Sequence, residues 1–130
     1  MTDLNPGALA ATERTGPAIW IQQHPSAGLR AQAGVDTALS FAVFEQSPTV
    51  VFANAGVCCL SVPMAAPAGR KSLRKLIDSF PLYDIEQIFI DGRSLKKYSL
   101  DADQLPEFAV VQSPGELSTL VHSHPAILSF

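Results

Sequence analysis

Cys58 and Cys59 are the only cysteines among the 130 residues and the side chains best suited to covalent chemistry. They follow the β-branched run Thr49-Val50-Val51-Phe52, and a helix starting beyond such a strand can lower a thiol pKa enough to make a nucleophile. The competing reading is that one or both pack as small apolar residues, since free cysteine is among the most buried types. Successive residues point in different directions, so at most one of the pair is expected to face solvent. No basic residue lies closer in sequence than Arg70, which weighs against an activated thiolate. Adjacent cysteines rarely bridge each other, and two reduced thiols fit a cytoplasmic setting.

The other titratable groups give less. His122 and His124 do not combine with the cysteines into a structural zinc spacing, so no metal and no cofactor are expected, and the histidines read as dipole contacts at a helix C-terminus. Asp84 and Glu86 flank Ile85 and would share one face of a strand, where acid or base work requires burial; Asp84 also reads as a turn or cap residue. Phosphate-binding glycine loops, a Ser-His-Asp order and nucleotide fingerprints do not occur.

The elements that position these residues alternate between strand and helix. The stretch Leu82 to Ile90 leads from a turn into a buried strand over Gln87 to Ile90, and Pro81 ends the helical pattern before it. At the other end of that strand Asp91-Gly92-Arg93-Ser94 opens a turn and a short helix, the place where α/β sheets gather ligands. Ala18 to Ile21 and Thr49 to Phe52 read as two earlier strands. Between them Val35, Ala38, Leu39, Ala42 and Val43 recur at helical spacing within Leu29 to Phe44. Ser72 is positioned to cap a helix over Leu73 to Ser79 whose Leu73, Leu76 and Ile77 face inward and whose Arg70, Lys71, Arg74 and Lys75 stay wet. Phe108 to Val111 is a fourth strand, Ser113-Pro114-Gly115-Glu116 begins a helix, and Ala126 to Phe130 is a fifth strand. This alternation predicts a single α/β domain over 17–130, with a mainly parallel sheet of about five strands and helices on both faces, behind a flexible leader over 1–16. Trp20, Val51, Phe52, Ile88, Phe89, Val110 and Ile127 are the expected core.

Composition narrows the partners. Hydrophobic residues make up 47% and charged residues 16%, which fits a globule partly covered by another protein. A net charge of −3 argues against general nucleic-acid binding, although seven of the nine basic residues fall between Arg70 and Lys97. Neither a membrane span nor a signal peptide is apparent.

Four segments together carry a family resemblance: Gly34-Val35-Asp36, Gly56-Val57 followed by Leu60, Leu82-Tyr83-Asp84-Ile85-Glu86-Gln87, and Ile127-Leu128-Ser129-Phe130. From Ile19 to Phe130 the chain resembles the DsrE/DsrF-like sulfur relay proteins, and among them the TusC/DsrF branch. The resemblance implies a cytoplasmic complex of three related subunits, arranged as a dimer of heterotrimers, that passes persulfide sulfur in tRNA 2-thiouridine synthesis or in sulfur oxidation. It places the carrier cysteine of the TusD/DsrE-type subunit just after the third strand, where this chain has Ile90-Asp91-Gly92-Arg93, and it makes the TusC/DsrF-type subunit an assembly partner. The chain departs from that branch at Ala55-Gly56-Val57-Cys58-Cys59-Leu60, where relatives commonly carry Asp-Gly-Val-aromatic-Gln-Leu, and at Ala33, where an arginine is usual. Two functions follow: a non-catalytic subunit pairing with TusB/TusD- or DsrE/DsrH-type partners, or a sulfurtransferase carrying persulfide on Cys58 or Cys59. A free-standing homo-oligomer of the same fold is a third.

Overall fold

Ala18 to Ile21 and Thr49 to Phe52 lie side by side in the computed structural model, which describes residues 15–61 and 73–130. They belong to strands β1 (Thr15–Ile21) and β2 (Ser47–Phe52) of a five-stranded sheet completed by β3 (Gln87–Asp91), β4 (Val110–Gln112) and β5 (Ile127–Ser129). The order is β4-β3-β2-β1-β5 and every pairing is parallel. Pro17 has no N–H to give the ladder, and the β1–β2 register shifts between Thr15 and Ala18.

Helices α1 (Arg30–Val43), α2 (Leu73–Asp78) and α3 (Gly92–Lys97) share one face of the sheet, where Ile19, Ile21, Val50, Phe52, Ile88 and Ile90 form the main core with Ala31, Val35, Ala38, Leu73 and Ile77. The alternate strand residues point the other way. On that second face α4 (Pro114–Ser123) lays Leu117 and Leu120 against Val51, Ala53, Trp20 and Phe89. The predicted α/β architecture, a parallel five-stranded sheet with helices on both faces, is therefore the observed one. Among the described residues three 3-10 turns, Asn54–Leu60, Phe80–Tyr83 and Ala102–Gln104, lie in the connections.

Several expectations need correction. Val51, Phe52 and Ile88 are buried as expected, and Trp20 and Phe89 are half-buried beneath α4. Val110 and Ile127 are 50% and 39% exposed instead of core, because β4 and β5 form the two edges of the sheet while α4 packs on the inner strands. Asp84 is the turn and cap residue it was expected to be, at φ 61 after the Phe80–Tyr83 turn with Ile85 N–H returning to the Phe80 carbonyl at 3.1 Å, and the alternative of a strand face shared with Glu86 fails because β3 begins only at Gln87. Arg74 does not stay wet. Only 14% of its side chain is exposed, since it pairs with Asp78 at 2.9 Å and donates to the Leu60 and Gln104 carbonyls. The Ser72 cap, the loop through Pro63, Pro67 and Gly69, Arg70, Lys71 and nearly all of the expected leader lie outside the described residues.

Candidate functional site

All five strands being parallel, their C-terminal ends meet on one side, and the residues leaving β1, β2 and β3 are tied together there by side chains. Asp91 ends β3 and caps α3: its buried carboxylate accepts from the Arg93 N–H at 3.1 Å and from the Ser94 hydroxyl at 3.0 Å. Ser94 Oγ in turn accepts the Asn54 N–H at 2.8 Å, and Asn54 Nδ2 donates to Gln22 Oε1 at 2.9 Å. Asn54 has φ 51, a left-handed backbone that asparagine tolerates, and it turns the chain from β2 into the cysteine-bearing 3-10 turn. Gly56 lets that turn settle on β1. A Cβ at this position would stand 1.8 Å from the Ile21 carbonyl oxygen, which already accepts the Ala53 N–H at 3.0 Å.

The cysteines leave this turn differently. Cys58 is partly exposed, whereas Cys59 is 2% exposed within the main core, with its Sγ 4.0 Å from the Gln23 carbonyl. Desolvation raises the Cys58 thiol above its ordinary value, and burial together with the neighbouring Cys58 pushes Cys59 up to about 12. Among the described residues no hydrogen bond or ion pair brings a cationic side chain to either sulfur. Both thiols are therefore largely protonated near neutral pH, the opposite of an activated nucleophile.

His122 and His124 are not brought to the cysteines. His122 Nδ1 bonds the Ser118 carbonyl at 2.8 Å within α4, while His124 places Nδ1 2.9 Å from the Leu120 carbonyl and Nε2 2.9 Å from Thr49 Oγ1, at the start of β2 and so at the other end of the sheet. No group of three or more His, Cys, Asp or Glu side chains among the described residues is placed to hold a metal ion.

Beside the cysteine turn the connections of the sheet part: β3 runs into α3 on one face and β4 into α4 on the other, the arrangement that opens a crevice for ligands. A shallow crevice of about 460 Å³ lies there, mostly apolar through Leu95, Val111 and Pro114, with Arg93 and Lys96 as its charged residues. The turn signal Asp91-Gly92-Arg93 marked its position in the sequence, but its β4 wall did not show, because strand order is not encoded locally.

The DsrE/DsrF-like family model matches residues 18–130, the whole sheet apart from the first residues of β1. The chain belongs to the DsrE/DsrF-like family. Within it the similarity is to the TusC branch: the chain is 29% identical over 98 residues to a Protein TusC homolog of Vibrio vulnificus (strain CMCP6), covering 75% of this chain and 83% of the relative. The crystal structure of the ychN protein from E. coli superposes with a TM-score of 0.75 over 89% of this chain and 100% of its own, at 9% identity, which shows a shared fold. The structure thus gives this family member a buried carboxylate at the exit of β3 and a pair of unactivated thiols at the exit of β2.

Proposed function

We propose that the protein is a non-catalytic subunit of a cytoplasmic sulfur relay complex, in which domain 17–130 associates with related DsrE-like chains and supports persulfide transfer carried out on them. The observation that carries this reading is Asp91. In the region just after the third strand, where the resemblance puts the carrier type's cysteine, this chain has no cysteine and Asp91 commits its carboxylate to the Arg93 N–H and the Ser94 hydroxyl, a capping role. The raised pKa of both thiols and the similarity to a TusC homolog point the same way. No helix among the described residues is long and apolar enough to cross a membrane.

A second reading rests on the partial exposure of Cys58: a sulfane sulfur delivered by a partner can be accepted there even if the thiol is not activated. One experiment separates them. The chain is purified from its native cells with whatever it binds, treated with inorganic polysulfide, and weighed intact beside Cys58→Ser. The subunit reading expects related chains to co-purify and the added sulfur to appear on them. Stoichiometric sulfur on this chain that disappears in Cys58→Ser would replace it with the carrier reading.

A further inference from the structure

The crevice between α3 and the start of α4 has no part in the proposed subunit role. At its base lies Gly92, where a Cβ would stand 3.1 Å from Val111 Cγ1 and 3.4 Å from the Gln112 carbonyl oxygen, so any side chain there would intrude between α3 and β4. Val111 is 48% exposed on this edge strand, and Leu95 and Pro114 complete the apolar lining. At about 460 Å³ the crevice has the volume of a small-molecule site. It also stands at the carboxyl ends of the strands where their connections leave for opposite faces, the usual place for a ligand in such a sheet.

The charged residues lining it are of one sign. The Arg93 side chain is 71% exposed and Lys96 is open to solvent. The carboxylates flanking the lining residues in sequence are already engaged. Asp91 accepts from the Arg93 N–H and the Ser94 hydroxyl and lies 3.8 Å from Arg93 Nε, while Glu116 accepts the Ser113 N–H at 3.0 Å. Ser113 and Pro114 bring the first turn of the ten-residue α4 to the crevice, and with it the positive end of the helix dipole.

We infer that this crevice binds a small amphiphilic anion, a carboxylate or sulfonate head on an aliphatic or aromatic body. Arg93 and Lys96 hold the head, and Leu95, Val111 and Pro114 cover the body. A wholly hydrophilic anion such as phosphate leaves the apolar lining unused, and an organic cation meets two like charges. None of the lining residues is aromatic, which disfavours a stacked nucleobase. A stable protein contact needs about 1,000 Å² or more, well beyond the walls of this hollow.

Binding of this kind does not depend on the subunit reading, and its test needs neither partner nor sulfur donor. Straight-chain carboxylates from butanoate to octanoate are titrated into the purified chain and followed by amide and methyl NMR shifts. Saturable shifts should centre on Gly92, Lys96 and Val111, with affinity rising about fourfold per added methylene until the crevice is full. The variant Arg93→Gln/Lys96→Gln changes exposed side chains only, and it should weaken octanoate about tenfold while leaving octanol unchanged. Val111→Phe, which fills the hollow, should abolish binding. The chain-length series on unaltered protein decides even where a variant fails to fold. Shifts scattered over the surface, affinity flat with chain length, octylammonium binding as well as octanoate, or an unaffected double variant would each overturn the inference. So would a native complex in which a partner's side chain occupies the crevice and octanoate no longer enters. Any of these results leaves the subunit reading standing.

Discussion

Replacing Gly56 with alanine should be among the most damaging single-methyl additions possible in this protein. The new Cβ would lie 1.8 Å from the Ile21 carbonyl oxygen and 2.5 Å from its carbon, distances that no side-chain rotation relieves because both atoms are backbone. The cysteine turn must lift away from β1, and the hydrogen bond from Ala53 N–H to that same oxygen, 3.0 Å long, weakens as it does. Forcing a backbone shift costs about 1 to 3 kcal/mol, occasionally more. A buried donor left without its partner adds about 1 to 3 kcal/mol. The expected loss is therefore about 3 kcal/mol or more, out of a total stability of roughly 5 to 15 kcal/mol for a chain of this kind. At this chain length that corresponds to a fall of at least about 10 °C in Tm. Urea and thermal unfolding of Gly56→Ala would be read beside two graded controls. In Gly34→Ala the nearest obstacles are the side chains of Ile21 and Phe130 at 2.9 and 3.1 Å, so the loss should be smaller. In Gly115→Ala nothing approaches closer than 4.0 Å, and stability should hold or rise slightly. A Gly56→Ala protein within about 1 kcal/mol of wild type would refute the claim that this turn is seated by backbone contact.

Ile88→Ala, at a fully buried position in the main core, should cost about 2 to 5 kcal/mol in denaturant unfolding, and a loss near zero would contradict the packing of β3. Alkylation of native protein near neutral pH should label Cys58 more slowly than a free thiol and leave Cys59 unmodified, with the Cys58 rate still climbing above pH 9.0, its ordinary pKa. Because Cys59 is raised in the folded state, to about 12, its contribution to stability is complete below the unfolded thiol pKa and lost as pH rises from about 9 towards 12; Cys59→Ala should flatten that alkaline decline. Ser113 accepts the Glu116 N–H at 3.2 Å while Glu116 accepts the Ser113 N–H at 3.0 Å, so Ser113→Ala should cost about 1 kcal/mol by thermal unfolding, and an unchanged Tm would show the capping box to be idle.

How far the sequence could be read depended on the range of the interaction involved. The β-branched runs of β2 and β3, the helical spacing of α1 and the Ser113-Pro114 start of α4 are local signals, and each led to the observed element. Asp84 and Glu86 fall on the boundary between turn and strand, where alternation alone cannot say at which residue the ladder begins. Burial failed at Val110 and Ile127 because it depends on which strands become edges, a property of the order β4-β3-β2-β1-β5 that no short window contains. The same is true of the site. Cys58 and Cys59 stood out by type, but their unequal burial, the Asn54 contact to Ser94 across forty residues and the Arg74 link to Leu60 are products of tertiary packing. Arg74 in particular resembles any solvated helix cation until its acceptors are known.

The pairing of the first described strand with the last sets the order in which the molecule can assemble. β1, β2, β3 and β4 are neighbours in both sequence and space, so the growing sheet can add them one by one across modest loops, whereas β5 must travel back past all of them to reach β1. Closing so long a loop is entropically the most demanding step and topologically a slow one. Until it happens β1 is an open edge, its carbonyls and amides unpaired on the side where Trp20 accepts from the Phe130 N–H and Gln22 donates to the Phe130 carbonyl. During that interval the polypeptide is most exposed to sticking to its neighbours. Phe130, which closes over Gly34 and Ile21 when β5 docks, acts as the latch that ends that exposure.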